Sequence, residues 1–254
     1  MARPHIDFIH VDDIAWVELD LPGGNKPVRM KPLSRDADTG GVTAIVEFPP
    51  GFERRETGYN SSDEDLFYLE GEMTWGDRTL HPHCYAFHPA GKLREPIRTA
   101  AGTVVFASFT ETPHWHPSDR PGPMFQPERD VSYVDIRKVP WESPRFDDFP
   151  AGASRKALRN DPGAQQGASI NGLLPQWISP YTEWHTFSEE VYILEGTIDT
   201  TFGKMTEGAY LAHPPEDVHG PMHSVDGCMF FVIVRGPIGN TYEPVDGYEL
   251  PPPQ

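Results

Sequence analysis

Displacing the 254-residue sequence by 125 positions lays one half on the other almost without gaps. Trp16 then falls on Trp141, Lys31 on Lys156, Leu33 on Leu158 and Asp36 on Asp161. Glu64-Asp-Leu-Phe-Tyr-Leu-Glu-Gly71 falls on Glu189-Glu-Val-Tyr-Ile-Leu-Glu-Gly196, and Tyr85-Ala-Phe-His-Pro89 on Tyr210-Leu-Ala-His-Pro214. A single offset holding from Trp16 to Gly227 means one domain written twice, over residues 1–125 and 126–254. The Pro-rich stretch from Pro117 to Pro127 joins the copies as an extended, semi-rigid connection that sets them at a fixed angle.

Each copy reads as short strands. The 28 prolines and 23 glycines interrupt long helical periods, while Val42–Phe48, Leu66–Leu69, Thr103–Phe109, Val191–Leu194 and Met229–Val234 are rich in apolar, β-branched and aromatic residues. Helix is expected only in short segments such as 153–159, and Asp161-Pro-Gly163 is a turn. Several strands are apolar on both faces, which suits an all-β sandwich whose outer face is covered by the other domain or a second subunit, and predicts a homodimer. With 37% hydrophobic residues the chain can bury a core without staples. Cys84 and Cys228 form no metal or redox motif and are expected to be reduced core residues.

The net charge of −17 opposes binding to nucleic acid or an anionic membrane surface, and no basic patch offsets it. The N-terminus lacks an apolar signal core and no run is long enough to span a bilayer, so a soluble, cytoplasmic protein is expected.

The chemistry is concentrated in the second copy. If Thr182–Glu189 is extended, Glu183, His185, Phe187 and Glu189 share one face, and an imidazole and a carboxylate four residues apart can reach one divalent ion. His219, after the Pro214-Pro215 turn, can complete a set of two histidines and one carboxylate that leaves positions open for substrate and O₂ or water. Glu189 is preferred to Glu190 by spacing, although a one-residue slip of register would exchange them. His223, four residues beyond His219, is a candidate substrate contact or acid–base group, or else a surface histidine. His213, repeated as His88, is read as structural. His114 and His116 flank Trp115 in a spacing that can ligate a metal but have no partner nearby in sequence, and are read as a surface loop.

These motifs resemble the bicupins, tandem β-barrel proteins of the cupin superfamily. In the first cupin motif His185 takes the second histidine place, Glu189 the glutamate and Gly196 the closing glycine. In the second, Gly208, Pro214 and His219 fit the spacing, with Glu216 at the inner glycine and His223 at the asparagine. Two positions depart from the pattern: Glu183 replaces the first histidine and Trp177 the opening glycine. The resemblance implies two tandem jelly-roll-like barrels and a metal held by His185, Glu189 and His219, with Glu183 a fourth ligand, an outlying base or a surface residue. It implies a metal-dependent enzyme acting on a small organic molecule. Fe(II) and a dioxygenase reaction are favoured; Mn, Zn, Ni or Cu with a lyase, decarboxylase or isomerase reaction is the alternative, as are a metal-free isomerase using His and Tyr and a non-catalytic binding protein. Trp184, Phe187, Tyr210, Met222 and Phe231 are candidate walls for an aromatic, enol or diketone-like substrate, Tyr210 also a catalytic candidate.

In the first copy Glu183 becomes Gly58, His185 Asn60, Glu189 Glu64, His219 Arg94 and His223 Arg98. A guanidinium cannot ligate a metal, so Arg94 is expected to pair with Glu64 and replace the ion, leaving this copy structural.

Overall fold

A computed structural model describes residues 3–144, 146 and 149–248. The chain is all-β. Helix among the described residues is limited to three-residue 3₁₀ turns at Val11–Asp13, Pro127–Arg129 and Ile136–Lys138, and no helix is long and apolar enough to cross a membrane.

Two compact units are present. One is Ile14–Lys138; the other combines the described residues of Ala2–Asp13 with those of Val139–Gln254. The halves 1–125 and 126–254 therefore exchange their opening strands. Ile6–His10 pairs with Ala209–His213, while Val131–Asp135, its equivalent in the repeat, pairs with Cys84–His88.

The first unit has a seven-stranded antiparallel sheet in the order Val131–Asp135, Cys84–His88, Glu64–Gly71, Thr103–Phe109, Val42–Phe48, Val28–Arg35 and Val17–Leu19. A four-stranded sheet of Phe52–Arg54, Ile97–Thr99, Met73–Trp75 and Arg78–Leu80 supplies the opposing layer. The core lies between them: Leu66, Tyr68 and Val105 project from one sheet onto Phe52, Met73 and Ile97 from the other. A fully buried side chain such as Phe52 contributes about 2–3 kcal/mol.

The second unit repeats this plan. Its main path runs Ile6–His10, Ala209–His213, Ser188–Thr200, Cys228–Arg235, Gln166–Leu173 and Ala153–Asp161. The 13-residue strand Ser188–Thr200 continues into the second layer, where it meets Gly203–Thr206 and Met222–Ser224. Gly196 and its repeat Gly71 sit at φ +78° and +68°, and a Cβ on either would lie 2.1 Å from the carbonyl oxygen of Gly227 or Gly102. Only glycine fits there. The sheets are jelly-roll-like but open, rather than closed barrels.

The segment 153–159, expected to be helical, is instead part of the strand Ala153–Asp161, paired along its length with Gln166–Leu173. Ala, Lys, Leu and Arg are good helix formers, but sheet pairing and burial of Lys156, Leu158 and Arg159 override that preference. The same bulge occurs in both copies, between Pro32 and Ser34 and between Ala157 and Arg159. Cys84 and Cys228 are free and buried in strands.

Candidate metal centre

His185 ends the strand Tyr181–His185, and Glu189 lies near the start of the next. His219 comes back beside them through a two-way backbone bridge to Glu183, with N–H···O distances of 2.8 and 3.0 Å. His185, Glu189 and His219 each direct one ligand atom into the same spot, all within 4.8 Å of one another.

The histidines are oriented for ligation. His185 Nδ1 donates to the carbonyl of Phe187 at 2.7 Å, and His219 Nδ1 to that of Asp217 at 3.2 Å. A carbonyl can only accept, so each Nδ1 carries the proton and each Nε2 keeps a lone pair for a metal. The His185 ring is stacked on Phe187 at 4.2 Å. Its Nε2 is buried without a hydrogen-bond partner, 3.6 Å from Glu189 Oε2. A buried lone pair left in this way costs about 1–3 kcal/mol, and a divalent cation at this point would satisfy it. The donor set therefore fits a metal.

Glu183 lies beside the three. Its Oε1 is 3.4 Å from His219 Nε2, and its Oε2 accepts from Asn240 Nδ2 at 3.2 Å. Burial alone would raise its pKa, but His219 and Asn240 outweigh burial and lower it, so Glu183 is a carboxylate. Burial would lower the pKa of His185 and His219, but Glu189 and Glu183 respectively reverse this and raise it. The pKa of His213 goes the other way: burial first, then His219, His185 and His5, push it down to about 3.

Two pockets that share Glu183 and Glu189 open onto the cluster, one holding His185 and the other His219. Phe187 lines the first and Met222 the second, as the sequence suggested. Trp184, Tyr210 and Phe231 line neither; Phe149 lines both, and Trp177 and Phe230 line the second. Alternation along the strand explains the exchange of Phe231 for Phe230. Tyr210 is on the other face of its sheet, fully buried, and donates to Glu190 Oε2 at 2.7 Å, where Arg3 and Arg235 also bind that carboxylate. Nor is His223 brought to the cluster. The chain turns at Gly220 (φ +87°), so 219–223 is not one extended run. Met222 takes the inward position and His223 bonds Tyr248 at 2.9 Å. His116 stacks on Tyr59 at 5.0 Å, and neither it nor His114 belongs to a metal-capable group among the described residues.

Sequence reasoning missed Arg155. It lines the first pocket with His185 and Glu189 and pairs with Glu142 at 2.8 Å, while its buried Nε has no partner. Its repeat equivalent is Met30, so the difference between copies that singles out the histidines would have found it too.

In the first unit Arg94 is bridged to Gly58 as His219 is to Glu183, and its buried guanidinium pairs with Glu64. A cation fixed in the chain fills the place.

Residues 7–241 match the family described as "Domain of unknown function (DUF4437)". No curated protein sequence matches the chain. Among solved structures, a candidate dioxygenase from Nostoc punctiforme superposes with a TM-score of 0.83 at 22% identity, over 91% of this chain and 82% of that one. The formate complex of Lactobacillus farciminis oxalate decarboxylase gives 0.60 at 14% identity, over 92% and 87%. A variant of Bacillus subtilis oxalate decarboxylase gives 0.56 at 13%, over 92% and 78%. These likenesses establish the cupin fold.

Proposed function

The chain belongs to the DUF4437 family, and on that premise we propose that it is a metal-dependent bicupin dioxygenase acting on a small organic substrate with an enol, phenol or diketone oxygen. The observation that carries this reading is the convergence of His185, Glu189 and His219, with an unpartnered Nε2 on His185. The likeness to a candidate dioxygenase supports the reaction class.

A bound divalent ion would polarise a substrate oxygen and, as Fe(II), supply the redox partner for O₂. The protein does the rest. Phe149, Trp177, Met222 and Phe230 exclude water and receive an apolar or aromatic body. Arg155 Nε donates to the anionic oxygen of the substrate. Glu183, held as a carboxylate, accepts the proton released when the enol or phenol ionises.

A metal-dependent decarboxylase is the second reading, supported by the likeness to oxalate decarboxylases. The aromatic lining favours a larger, less polar substrate than a dicarboxylate.

The test is metal analysis of anaerobically purified protein, wild type against His219→Ala and Glu189→Ala, followed by O₂ uptake with catechols and 1,3-diketones. Both variants should hold less metal than wild type and lose uptake. Equal metal in all three would sink the reading; CO₂ release without O₂ uptake would favour the decarboxylase. Arg155→Leu should raise KM more than it lowers kcat and leave metal content unchanged.

A further inference from the structure

A second cluster lies at the edge of the same unit. The register Ile6↔Ala212 brings His5, just ahead of the exchanged strand, next to His213. His5 Nδ1 is 3.6 Å from Asp217 Oδ1, and His213 Nδ1 is 3.7 Å from Asp217 Oδ2. The two rings meet edge to face at 5.6 Å. One ligand atom from each of His5, His213 and Asp217 falls within 4.8 Å of the others.

Two observations show that this arrangement lacks something. His213 is 1% exposed, and neither ring nitrogen has a hydrogen-bond partner. Asp217 Oδ2 is also buried without one. Buried polar atoms in a native structure are almost always paired, and an unpartnered imidazole nitrogen facing an unpartnered carboxylate oxygen at 3.7 Å calls for an occupant between them.

The first unit shows what kind. At the equivalent positions His213 becomes His88, Asp217 becomes Lys92 and His5 becomes Asp130. There the Lys92 ammonium lies 2.6 Å from both Asp130 oxygens, and His88 Nδ1 is 3.5 Å from the same carboxylate. The cluster contains its own cation. In the second unit the lysine position has become the carboxylate and the carboxylate position a histidine, so no side chain among the three supplies a fixed positive charge. The same substitution of a chain-borne cation by ligands separates Arg94 from His219.

We propose that His5, His213 and Asp217 bind a second divalent cation, of the Zn(II), Co(II) or Ni(II) class that two imidazoles and one carboxylate suit. The site shares no ligand with the His185, Glu189 and His219 set, although the His213 and His219 rings are 4.6 Å apart. His5 Nε2 bonds Asp7 at 3.0 Å, which orients Nδ1 toward the ion in the manner of an outer carboxylate behind a ligating histidine. The ion ties the strand Ile6–His10 to Ala209–His213 through side chains as well as through the backbone ladder.

Chelator-stripped full-length protein titrated with Zn(II) and with Co(II), and counted by mass spectrometry of bound metal, tests this. Wild type should take two equivalents, and His5→Ala and Asp217→Asn one each. His185→Ala should also take one, and His5→Ala with His185→Ala none. His5 is half exposed, so its alanine variant should retain the wild-type circular dichroism. Zn(II) should raise the Tm of His185→Ala but not of the double variant. A single equivalent in wild type that His185→Ala removes, or two in both His5→Ala and Asp217→Asn, would overturn the site. Loss of one equivalent in His5→Ala but none in His185→Ala would uphold it and overturn the catalytic centre instead.

Discussion

Arg94 and His219 occupy the same place in the two copies, each bridged by its backbone to the residue at the next position of the site, Gly58 for Arg94 and Glu183 for His219. Gly58 has no room for a carboxylate, since a Cβ there would meet the Trp115 ring at 2.5 Å. One copy keeps Glu64 neutralised by a permanent guanidinium; the other presents imidazole nitrogens, that of His185 unpartnered, that an external cation can use.

Arg94→Met should be costly. It leaves Glu64 buried and uncompensated, at about 3–5 kcal/mol. Adding Glu64→Gln should recover more than half of that loss in urea unfolding, whereas Glu189→Gln in the second unit, where the carboxylate is less buried, should change apo stability by under about 1 kcal/mol.

Asn240 donates to Glu183 Oε2 at 3.2 Å and to the Tyr242 hydroxyl at 2.8 Å, and so holds the carboxylate that faces His219. Asn240→Ala should weaken metal binding about 10–100-fold while leaving the fold intact. Competition with a chelating dye measures it.

Tyr210→Phe removes a hydrogen bond to the buried Glu190 carboxylate and should cost about 1.5–3 kcal/mol of stability. Its metal content and kcat should equal wild type, because the hydroxyl is on the far side of the sheet. His223→Gln should likewise leave metal content unchanged.

Asp130 carries the clearest acid-linked stability in the first unit. Burial would raise its pKa, but bonds from His88, Lys92 and Ser132 outweigh burial and depress it well below the ordinary 3.8. A depressed carboxylate binds fewer protons folded than unfolded, so its contribution is full above about pH 4 and is lost as pH falls toward the folded pKa. Asp130→Asn should lower stability at pH 7 by about 1–3 kcal/mol and flatten the acid limb of the denaturation midpoint against pH.

Much of this was legible in the residues. Comparing the copies separated scaffold from chemistry: Glu64-to-Gly71 and Glu189-to-Gly196 pair with the same neighbouring strands, and the positions that differ, His185 and His219 against Asn60 and Arg94, are those that converge on a point. Arg155 against Met30 and Asp217 against Lys92 carried the same signal. The helix expected at 153–159 could have been rejected in this way, since Ala157 repeats Pro32, which no helix interior tolerates. Face assignments were less legible. Phe230 and Phe231 differ by one step of a pleat, and His223 lost its place to a turn at Gly220 that leaves no mark on spacing.

The sequence by itself determined that one β-domain is written twice and which of its positions changed their chemistry, because a repeat displays its own internal control. Tertiary structure alone decided that each unit takes its edge strand from the other copy, so that His5 belongs beside His213 and Asp130 beside His88. Strand pairing depends on contacts between residues far apart in the chain, such as Ile6 with Ala212 and Phe87 with Val131, which no local pattern of side chains encodes.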